Sequence, residues 1–253
     1  MVDQSDIFKL LAESADACEQ SWSLTPDETE ERVLFFFENS VAAAKLIATA
    51  AQQLNIPDKV LSEWSFSLPG ADAIGLALRC DRASVRLYTQ YWEVLAARVN
   101  AGNHDPFPLY RGFKSLPGGT VRTDSYHCLP LAPEEAFWPP MAEAFAAQGL
   151  DPLRAREVFA DLTPETAIFT RTMGSGRVSW LTTVRRAEID RAALADWAAP
   201  LSAVPKGAEI LDRLANDALV HLAGGHDAQK GPFFTIYTES SPEAVLASLA
   251  RFT

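Results

Sequence analysis

The sequence predicts an α/β protein of the α+β kind: an antiparallel β-barrel or a strongly curved sheet built of hairpin–helix units, with the helices on the outer face. A unit of two short strands followed by an amphipathic helix occurs four times. The connections within each unit are short enough for antiparallel hairpins. The strands also alternate between an aliphatic face and one that mixes arginine with aromatic and small polar side chains, and closing the barrel gives this second face a lumen.

Residues 1–60 are predicted to be acidic helices that precede the repeats. In residues 3–22, an apolar stripe formed by Ile7, Leu10 and Leu11 indicates the first helix. The stretch Thr25-Pro26-Asp27-Glu28 has the pattern of a capping box, so a second helix is predicted from there to about Asn55. Residues 1–40 carry a net charge of −8 out of −11 for the whole chain, and these acids are predicted to face solvent.

The four repeats fill residues 61–253. Their predicted strands are Trp64–Leu68, Ile74–Cys80, Ser84–Trp92, Tyr110–Leu116, Thr120–Leu129, Ala167–Met173, Val178–Val184, Ala218–Ala223 and Phe233–Glu239. Their predicted helices are Glu93–Asn100, Pro133–Gln148, Glu188–Ala198 and Pro242–Phe252. The glycines at Gly174–Gly176 and Gly224-Gly225 are predicted to form hairpin turns. Because no long linker separates the units, residues 1–253 are predicted to be one domain.

Composition argues against several classes of protein. No basic footprint for nucleic acid is present, and no apolar run approaches the roughly 18 residues of a membrane span. Asp3 and Asp6 argue against a signal peptide. The three cysteines lack metal or disulfide spacing, which predicts reduced thiols in a cytoplasmic protein. The histidines show no metal-site spacing; His221 is predicted to be a hydrogen-bonded core histidine, with a lumen acid–base role as the alternative.

Strand alternation predicts which side chains share the lumen. In Ser84–Trp92, the residues Arg86, Tyr88 and Gln90 alternate with Val85, Leu87 and Tyr91, which are predicted to lie under the helices. The same alternation in other strands places Arg79, Arg122, Tyr126, Arg171 and Tyr237 on the mixed face.

Short stretches of the chain resemble the ABBA-type aromatic prenyltransferases, whose antiparallel barrel carries arginines, lysines and tyrosines inside and helices outside. Tyr110–Lys114 is similar to the Gly-Phe-Lys strand of bacterial members. Pro139–Glu143 and Gly149–Asp151 resemble the helix that follows it. Arg177–Trp180 and Phe233–Tyr237 stand where that family has later strands. The family has five hairpin–helix units, whereas four are evident in this sequence.

The resemblance implies a transferase that moves a prenyl group from an allylic diphosphate to an aromatic small molecule inside the lumen. The cations that would then hold the diphosphate are Arg79, Arg86, Lys114, Arg122 and Arg171. The rings that would shield the allylic cation are Tyr88, Tyr126, Trp180 and Tyr237. Asp124 is predicted to orient an arginine, with binding of Mg²⁺ as the alternative; no other cofactor and no catalytic residue is predicted. Two alternatives remain open: a non-enzymatic small-molecule-binding or accessory protein of similar fold, and a protein–protein interaction module that uses an open sheet.

Overall fold

The computed structural model describes residues 4–81, 84–115, 121–163, 166–173, 177–185, 187–228 and 230–251. Its helices are α1 Gln4–Ser14, α2 Val41–Gln53, α3 Asp58–Phe66, α4 Trp92–Asn100, α5 Glu134–Ala147, α6 Pro152–Val158, α7 Arg191–Trp197, α8 Gly207–Asn216 and α9 Pro242–Ala250, with a 3₁₀ helix at Ala199–Ala203. Its strands are β1 Ala17–Leu24, β2 Thr29–Glu38, β3 Ala73–Arg79, β4 Val85–Gln90, β5 Phe107–Ser115, β6 Val121–Cys128, β7 Ile168–Met173, β8 Arg177–Thr183, β9 Leu219–Asp227 and β10 Gly231–Ser240.

The ten strands form one closed antiparallel barrel. Each strand pairs with its neighbours in the sequence, and β1 closes the circle by pairing with β10 from Cys18↔Ser240 to Leu24↔Phe234. Five hairpins, each followed by helices, therefore surround a single lumen. The predicted antiparallel barrel is confirmed, and the alternative of an open sheet is wrong. That the chain is one domain stays a prediction.

The fifth hairpin lies where the sequence was predicted to be helical. Residues 17–38 form β1 and β2, so the prediction of helices over most of residues 1–60 is wrong there. Val33, Phe36 and Phe37 match a helical stripe, yet the same segment also alternates Arg32 and Leu34 with Val33 and Phe35, and barrel closure selects the strand. The supposed capping box is the hairpin turn, in which the backbone N–H of Glu28 donates to Thr25 Oγ1 at 3.2 Å.

Two other local predictions are corrected. The stretch Trp64–Leu68 is the end of α3 and not a strand, and its Trp64 indole donates a hydrogen bond to the Tyr88 carbonyl at 3.0 Å. Gly224 and Gly225 lie inside β9 and do not form a turn. A Cβ at Gly224 would lie 2.8 Å from Ala144 Cβ of α5, so the glycine allows the helix to approach the strand closely. Gly174–Gly176 lies outside the described residues.

Most of the apolar core lies between the barrel and the surrounding helices. Phe145 of α5 is fully buried and contacts the rings of Phe159, Trp180, Trp197 and Phe234 at centroid distances of 4.9 to 5.9 Å. The outward-facing side chains of the strands are buried against the helices in this way. The inward-facing side chains line the lumen, and many of them are polar or aromatic. Among the described residues, no helix has the length and apolar character that crossing a membrane requires.

Candidate active site in the barrel lumen

The register of β4 sets which side chains enter the lumen. Arg86 and Tyr88 line the cavity at one end of the lumen, whereas Val85 and Leu87 are buried in the outer core with α2 and α3. Tyr91 also lies outside, where its hydroxyl donates to the Ser67 carbonyl at 2.7 Å. The predicted alternation of this strand is confirmed. A slip of one residue would have reversed every one of these assignments.

Five cations converge at the narrow end of the lumen. Arg86 of β4, Lys114 of β5 and Arg122 of β6 are paired across neighbouring strands, which places them side by side on one face. Arg32 of β2 and Arg79 of β3 are likewise paired and line the same cavity. Four of these five residues were predicted from the sequence, and the barrel brings them together.

Asp124 lies among the cations and is fully buried. Its Oδ1 accepts from Arg122 Nε at 2.8 Å, and its Oδ2 lies 3.1 Å from Arg86 Nη2. Arg122 also lies 3.4 Å from Asp227 through Nη1. Asp124 therefore fixes two guanidinium groups in the lumen wall, as predicted. Among the described residues, no group of three or more His, Cys, Asp or Glu side chains is placed to hold a metal ion.

Lys114 differs from its neighbours because its ammonium group has no ion pair or hydrogen bond among the described residues. Burial, together with the positive charges of Arg86 and Arg32, lowers the pKa of Lys114 to about 7. The lysine is therefore held beside other cations, and the attraction of Glu30 offsets their repulsion only in part. An anionic ligand at this point would raise its pKa and stabilise the ammonium form.

Acidic residues that were predicted to face solvent are buried instead. Glu19, Glu30 and Glu31 are each 4 to 5% exposed. Glu19 and Glu30 are on the lumen side, whereas Glu31 is on the outer face and pairs with Arg251. Burial alone would raise the pKa of Glu30, but Arg32, Lys230 and Arg79 outweigh it and hold that pKa at about 2. Since Glu30 forms ion pairs with all three cations, Arg32 and Arg79 are partly neutralised before any ligand binds.

A layer of tyrosines lies between the cations and the other end of the lumen. The cavity that holds the cations, here called the cation cavity, adjoins a second cavity further along the lumen. Both are lined by Tyr88, Tyr126 and Tyr237, so the two spaces are continuous. The hydroxyl groups of Tyr126 and Tyr88 accept hydrogen bonds from Arg86 Nη1 at 2.7 and 3.2 Å. Tyr110 stands further along and contacts the Tyr126 ring edge to face at a centroid distance of 6.2 Å. The hydroxyls of Tyr88 and Tyr126 thus point toward Arg86, whereas that of Tyr110 lies 3.3 Å from Thr183 Oγ1.

The opposite end of the lumen is wide and opens under α4. Its cavity has a volume of about 940 Å³ and is lined by Trp92, Leu95 and other apolar residues together with several carboxylates. Glu19 and His221 line both this cavity and the space beside the tyrosines. His221 Nδ1 lies 2.9 Å from Thr183 Oγ1, and burial, helped by Arg185, lowers the pKa of His221 to about 3. His221 is therefore a neutral base in the lumen wall.

Two predicted site residues have their side chains on the outer face of the barrel. Arg171 is exposed there, because its strand neighbour Phe169 packs against Phe137 of α5 and both residues share one face of β7. Trp180 contributes to the lining of the cavity that holds the cations, but its ring packs outside against Phe145, and 2% of the residue is exposed. The third repeat was therefore assigned the wrong face, because its aromatic residues Phe169 and Trp180 pack in the helix-covered core.

The residues that the sequence analysis missed come mainly from the first hairpin. Arg32, Glu19 and Ser21 lie on β1 and β2, which were predicted to be helical, so their inward orientation was not foreseen. Strand alternation in β4 and β5 is enough to predict that Gln90 and Tyr110 face the lumen. The sequence analysis predicted this for Gln90 but not for Tyr110. A search for a fifth hairpin would have found Arg32, because it alternates with Val33 in a strand-like pattern.

Gly112 leaves room for the side chains of Arg86 and Tyr88, which belong to the layer of cations and tyrosines in the lumen. Replacing Gly112 by alanine tests whether this room is needed. A Cβ there would lie 3.0 Å from Arg86 Cδ and 3.2 Å from Tyr88 Cε1, so both side chains would have to move. We expect Gly112→Ala to weaken the binding of an anion such as pyrophosphate to these cations several-fold, measured by titration calorimetry. The melting temperature should hold or rise, because alanine suits a strand better than glycine. Unchanged affinity would show that Arg86 and Tyr88 adapt without loss.

Comparison with known proteins identifies the fold. No protein-family model and no curated protein matches the chain. Among solved structures, 5-dimethylallyltryptophan synthase from Streptomyces coelicolor has a TM-score of 0.57 at 16% identity, covering 94% of this chain and 86% of that chain. The 6-dimethylallyltryptophan synthase from Micromonospora olivasterospora, in complex with DMASPP and Trp, has a TM-score of 0.57 at 14% identity, covering 93% and 85%. Prenyltransferase PriB, in a ternary complex with L-tryptophan and dimethylallyl thiolodiphosphate, has a TM-score of 0.62 at 14% identity, covering 89% and 80%.

The closed barrel with a cationic and aromatic lumen defines a protein with an enclosed small-molecule site. More particularly, the chain has the fold of the ABBA-type aromatic prenyltransferases, as its sequence resemblance predicted. At 14 to 16% identity the similarity establishes the fold. The function has to be argued from the residues of this chain.

Proposed function

We propose that this protein transfers a prenyl group from an allylic diphosphate to an aromatic small molecule inside its barrel. The observation that carries the proposal is Lys114, a partly buried ammonium that forms no ion pair or hydrogen bond with the described residues and lines one cavity with Arg86 and three tyrosines. Such a cation requires an anion to be stable. The structurally similar proteins include dimethylallyltryptophan synthases and PriB, whose complexes contain DMASPP or dimethylallyl thiolodiphosphate with tryptophan, which supports the assignment.

The cation layer would bind the diphosphate and stabilise its departure. When the allylic C–O bond breaks, both electrons leave with the diphosphate, so the negative charge there increases. Lys114 supplies a point charge, while Arg86 and Arg122 present guanidinium forks that Asp124 already orients. Because Asp124 already holds Arg86 and Arg122 in place, these side chains need not reorient as negative charge develops on the leaving diphosphate.

The tyrosine layer would hold the allylic cation after ionisation. Tyr88, Tyr126 and Tyr237 surround the passage between the two ends of the lumen. Their ring faces attract a carbocation with about 0.5–2 kcal/mol each. The closed barrel limits the access of water, which would otherwise capture the cation as an alcohol.

The acceptor would enter from the wide end and meet the cation at the tyrosines. Attack by the aromatic ring forms a bond to the allylic carbon and gives a positively charged ring, which then loses a proton to restore aromaticity. His221 borders this space and is neutral, since burial lowers its pKa. We propose that its Nε2 receives this proton, because Nδ1 is occupied by the contact with Thr183.

A ligand panel tests the proposed function. The thermal shift of the protein should be larger with dimethylallyl, geranyl and farnesyl diphosphates than with the corresponding alcohols, because only the diphosphates reach the cations with negative charge. Incubation with a labelled diphosphate and a mixture of aromatic acceptors should then give a prenylated product. A protein that binds diphosphates and alcohols equally would instead be a carrier of apolar molecules. We also propose a cytoplasmic location, based on three buried cysteines that are all free.

Diphosphate affinity should depend on pH through Lys114. Because the pKa of Lys114 in the empty site is about 7, the ammonium form is fully present only below that pH. A bound diphosphate raises this pKa, so above pH 7 binding has to take up a proton. Titration calorimetry from pH 7 to 9 should show the affinity falling by up to about tenfold per pH unit.

The conservative variant separates this effect from others. Lys114→Arg keeps a positive charge throughout the range, so its affinity should be nearly independent of pH from 7 to 9. Titrations in buffers with different ionisation enthalpies should show proton uptake by the native protein and not by this variant. An affinity of the native protein that stays constant from pH 7 to 9 would contradict the assignment of Lys114 to the diphosphate.

A further inference from the structure

The wide end of the lumen is strongly acidic. Five carboxylate residues line its cavity of about 940 Å³, whereas Arg185 is the one lysine or arginine among the lining residues that the structure describes. The carboxylates are Asp16, Glu19, Glu38, Asp72 and Glu93. Two of them accept backbone hydrogen bonds: Asp72 accepts from the N–H groups of Trp92 and Glu93 at 2.9 and 2.6 Å, and Asp16 accepts from that of Glu38 at 2.7 Å. These contacts leave the negative charges of Asp72 and Asp16 in place.

The lining arginine is already engaged by two carboxylates. Arg185 Nη2 lies 3.3 Å from Glu19 Oε1, and its Nε lies 3.2 Å from Glu239 Oε1. His221, the histidine in the same wall, is neutral because burial lowers its pKa. Because Glu19 is largely protonated in the empty site near pH 7, the charge that offsets Arg185 comes from Glu239. A carboxylate on an acceptor molecule would therefore meet no uncompensated positive charge here. It would be repelled by the surrounding acids.

Glu19 provides a second observation that points to a ligand. Its side chain is 5% exposed and lines the cavity, and its Oε2 has no hydrogen-bond partner among the described residues. His221 Nε2 lies 3.9 Å from this oxygen, beyond hydrogen-bonding distance. Burial raises the pKa of Glu19 to about 8, with Arg185 opposing the shift and Glu239 adding to it. A buried acceptor atom left without a donor is costly, and a donor brought by a ligand would relieve that cost.

The cavity also suits an aromatic ring. Trp92 contacts Tyr110 edge to face at a centroid distance of 5.4 Å, and its indole nitrogen donates to Gln90 Oε1 at 2.6 Å. This fixes the Trp92 side chain at the junction of the wide cavity and the tyrosine layer. Leu95 and Val99 of α4 add apolar surface beside it. The wall therefore combines a rigid aromatic surface with carboxylates around it.

We infer that the acceptor is an aromatic molecule carrying a protonated amine and no carboxylate, with the amine held by Glu19 and the acidic wall of the wide cavity. This inference rests on the proposed function and narrows its acceptor class. Binding of the ammonium converts Glu19 to its charged form, so the protein releases a proton when the amine binds near pH 7. The acids keep out the amino-acid and carboxylic-acid analogues of the same ring.

Three ligands with one ring and different charges test the inference. Tryptamine carries an amine, indole-3-propionate carries a carboxylate, and L-tryptophan carries both. Each is titrated by calorimetry at pH 7 without a diphosphate. A second series uses tyramine, tyrosine and 3-(4-hydroxyphenyl)propionate. We expect the amine of at least one series to bind tenfold or more tightly than its carboxylate, with the preference decreasing at high salt.

Glu19→Gln is the informative variant, and Glu143→Gln, an exposed acid on α5 away from the cavity, is its matched control. Glu19→Gln should lose most of the amine preference and the proton release of up to about one proton, whereas Glu143→Gln should keep both. The inference is overturned if in neither series the amine binds most tightly, or if Glu19→Gln leaves the preference intact. Separate titrations with geranyl diphosphate test the proposed function, so failure of one does not imply failure of the other.

Discussion

Replacing Lys114 by alanine is expected to weaken the binding of geranyl diphosphate about ten- to a hundredfold while leaving the binding of geraniol unchanged. The loss corresponds to one charge-assisted contact to a phosphate oxygen, worth about 1.5–3 kcal/mol. The contacts to the isoprenoid tail come from the tyrosine layer and are not altered. Titration calorimetry at pH 6.5, where Lys114 is charged in the empty site, measures both affinities.

Two further variants test the specificity of that effect. Arg171→Ala removes a cation from the outer face of the barrel, where it is exposed, and should leave the diphosphate affinity unchanged. Tyr88→Ala removes a ring from the passage and should weaken both the diphosphate and the alcohol. If Arg171→Ala were as harmful as Lys114→Ala, the diphosphate would be binding outside the barrel. If Lys114→Ala had no effect, the arginines and their carboxylates alone would determine binding.

The architecture was predictable from the sequence where local signals and tertiary packing agree. Four units were recognised because their turns, strand alternation and following helices point the same way. The first hairpin was missed because Val33, Phe36 and Phe37 fit a helical period as well as Val33, Phe35 and Phe37 fit a strand. Local pattern does not decide between these alternatives; the need to pair β10 with β1 and close the barrel does.

The lumen residues were predictable only where one face of a strand is clearly aliphatic. In β4, Val85 and Leu87 alternate with Arg86 and Tyr88, so only one assignment of faces is reasonable: the aliphatic residues outside and the other two in the lumen. The structure confirms this assignment. In β7, Phe169 lies on the same face as Arg171, and an aromatic residue is compatible with either the lumen or the helix-covered core. The sequence also does not show that Glu30 forms an ion pair with Arg79, which is 49 residues away in the chain. That contact depends on the register of β2 and β3 in the barrel.

Asp124→Asn is expected to destabilise the protein and to strengthen diphosphate binding. The carboxylate is fully buried and pairs with Arg86 and Arg122, whose side chains are 13 and 20% exposed. Breaking a buried pair costs about 3–5 kcal/mol. Because Arg122 keeps its contact with Asp227, we expect a decrease of about 2–3 kcal/mol, or roughly 5–10 °C in melting temperature. The isosteric amide keeps the packing intact.

The same substitution removes a negative charge from the wall that faces the diphosphate. Two guanidinium groups that were neutralised by Asp124 become available to the phosphates, so affinity should rise by about 1–2 kcal/mol, roughly tenfold. Saturating diphosphate should therefore restore much of the lost melting temperature, because the ligand takes the place of the carboxylate. Asp161→Asn, a change of an exposed acid outside the barrel strands, serves as the control for stability and binding. A variant that is less stable and also binds diphosphate more weakly would show that Asp124 contributes more by orienting Arg86 and Arg122 than it costs through its charge.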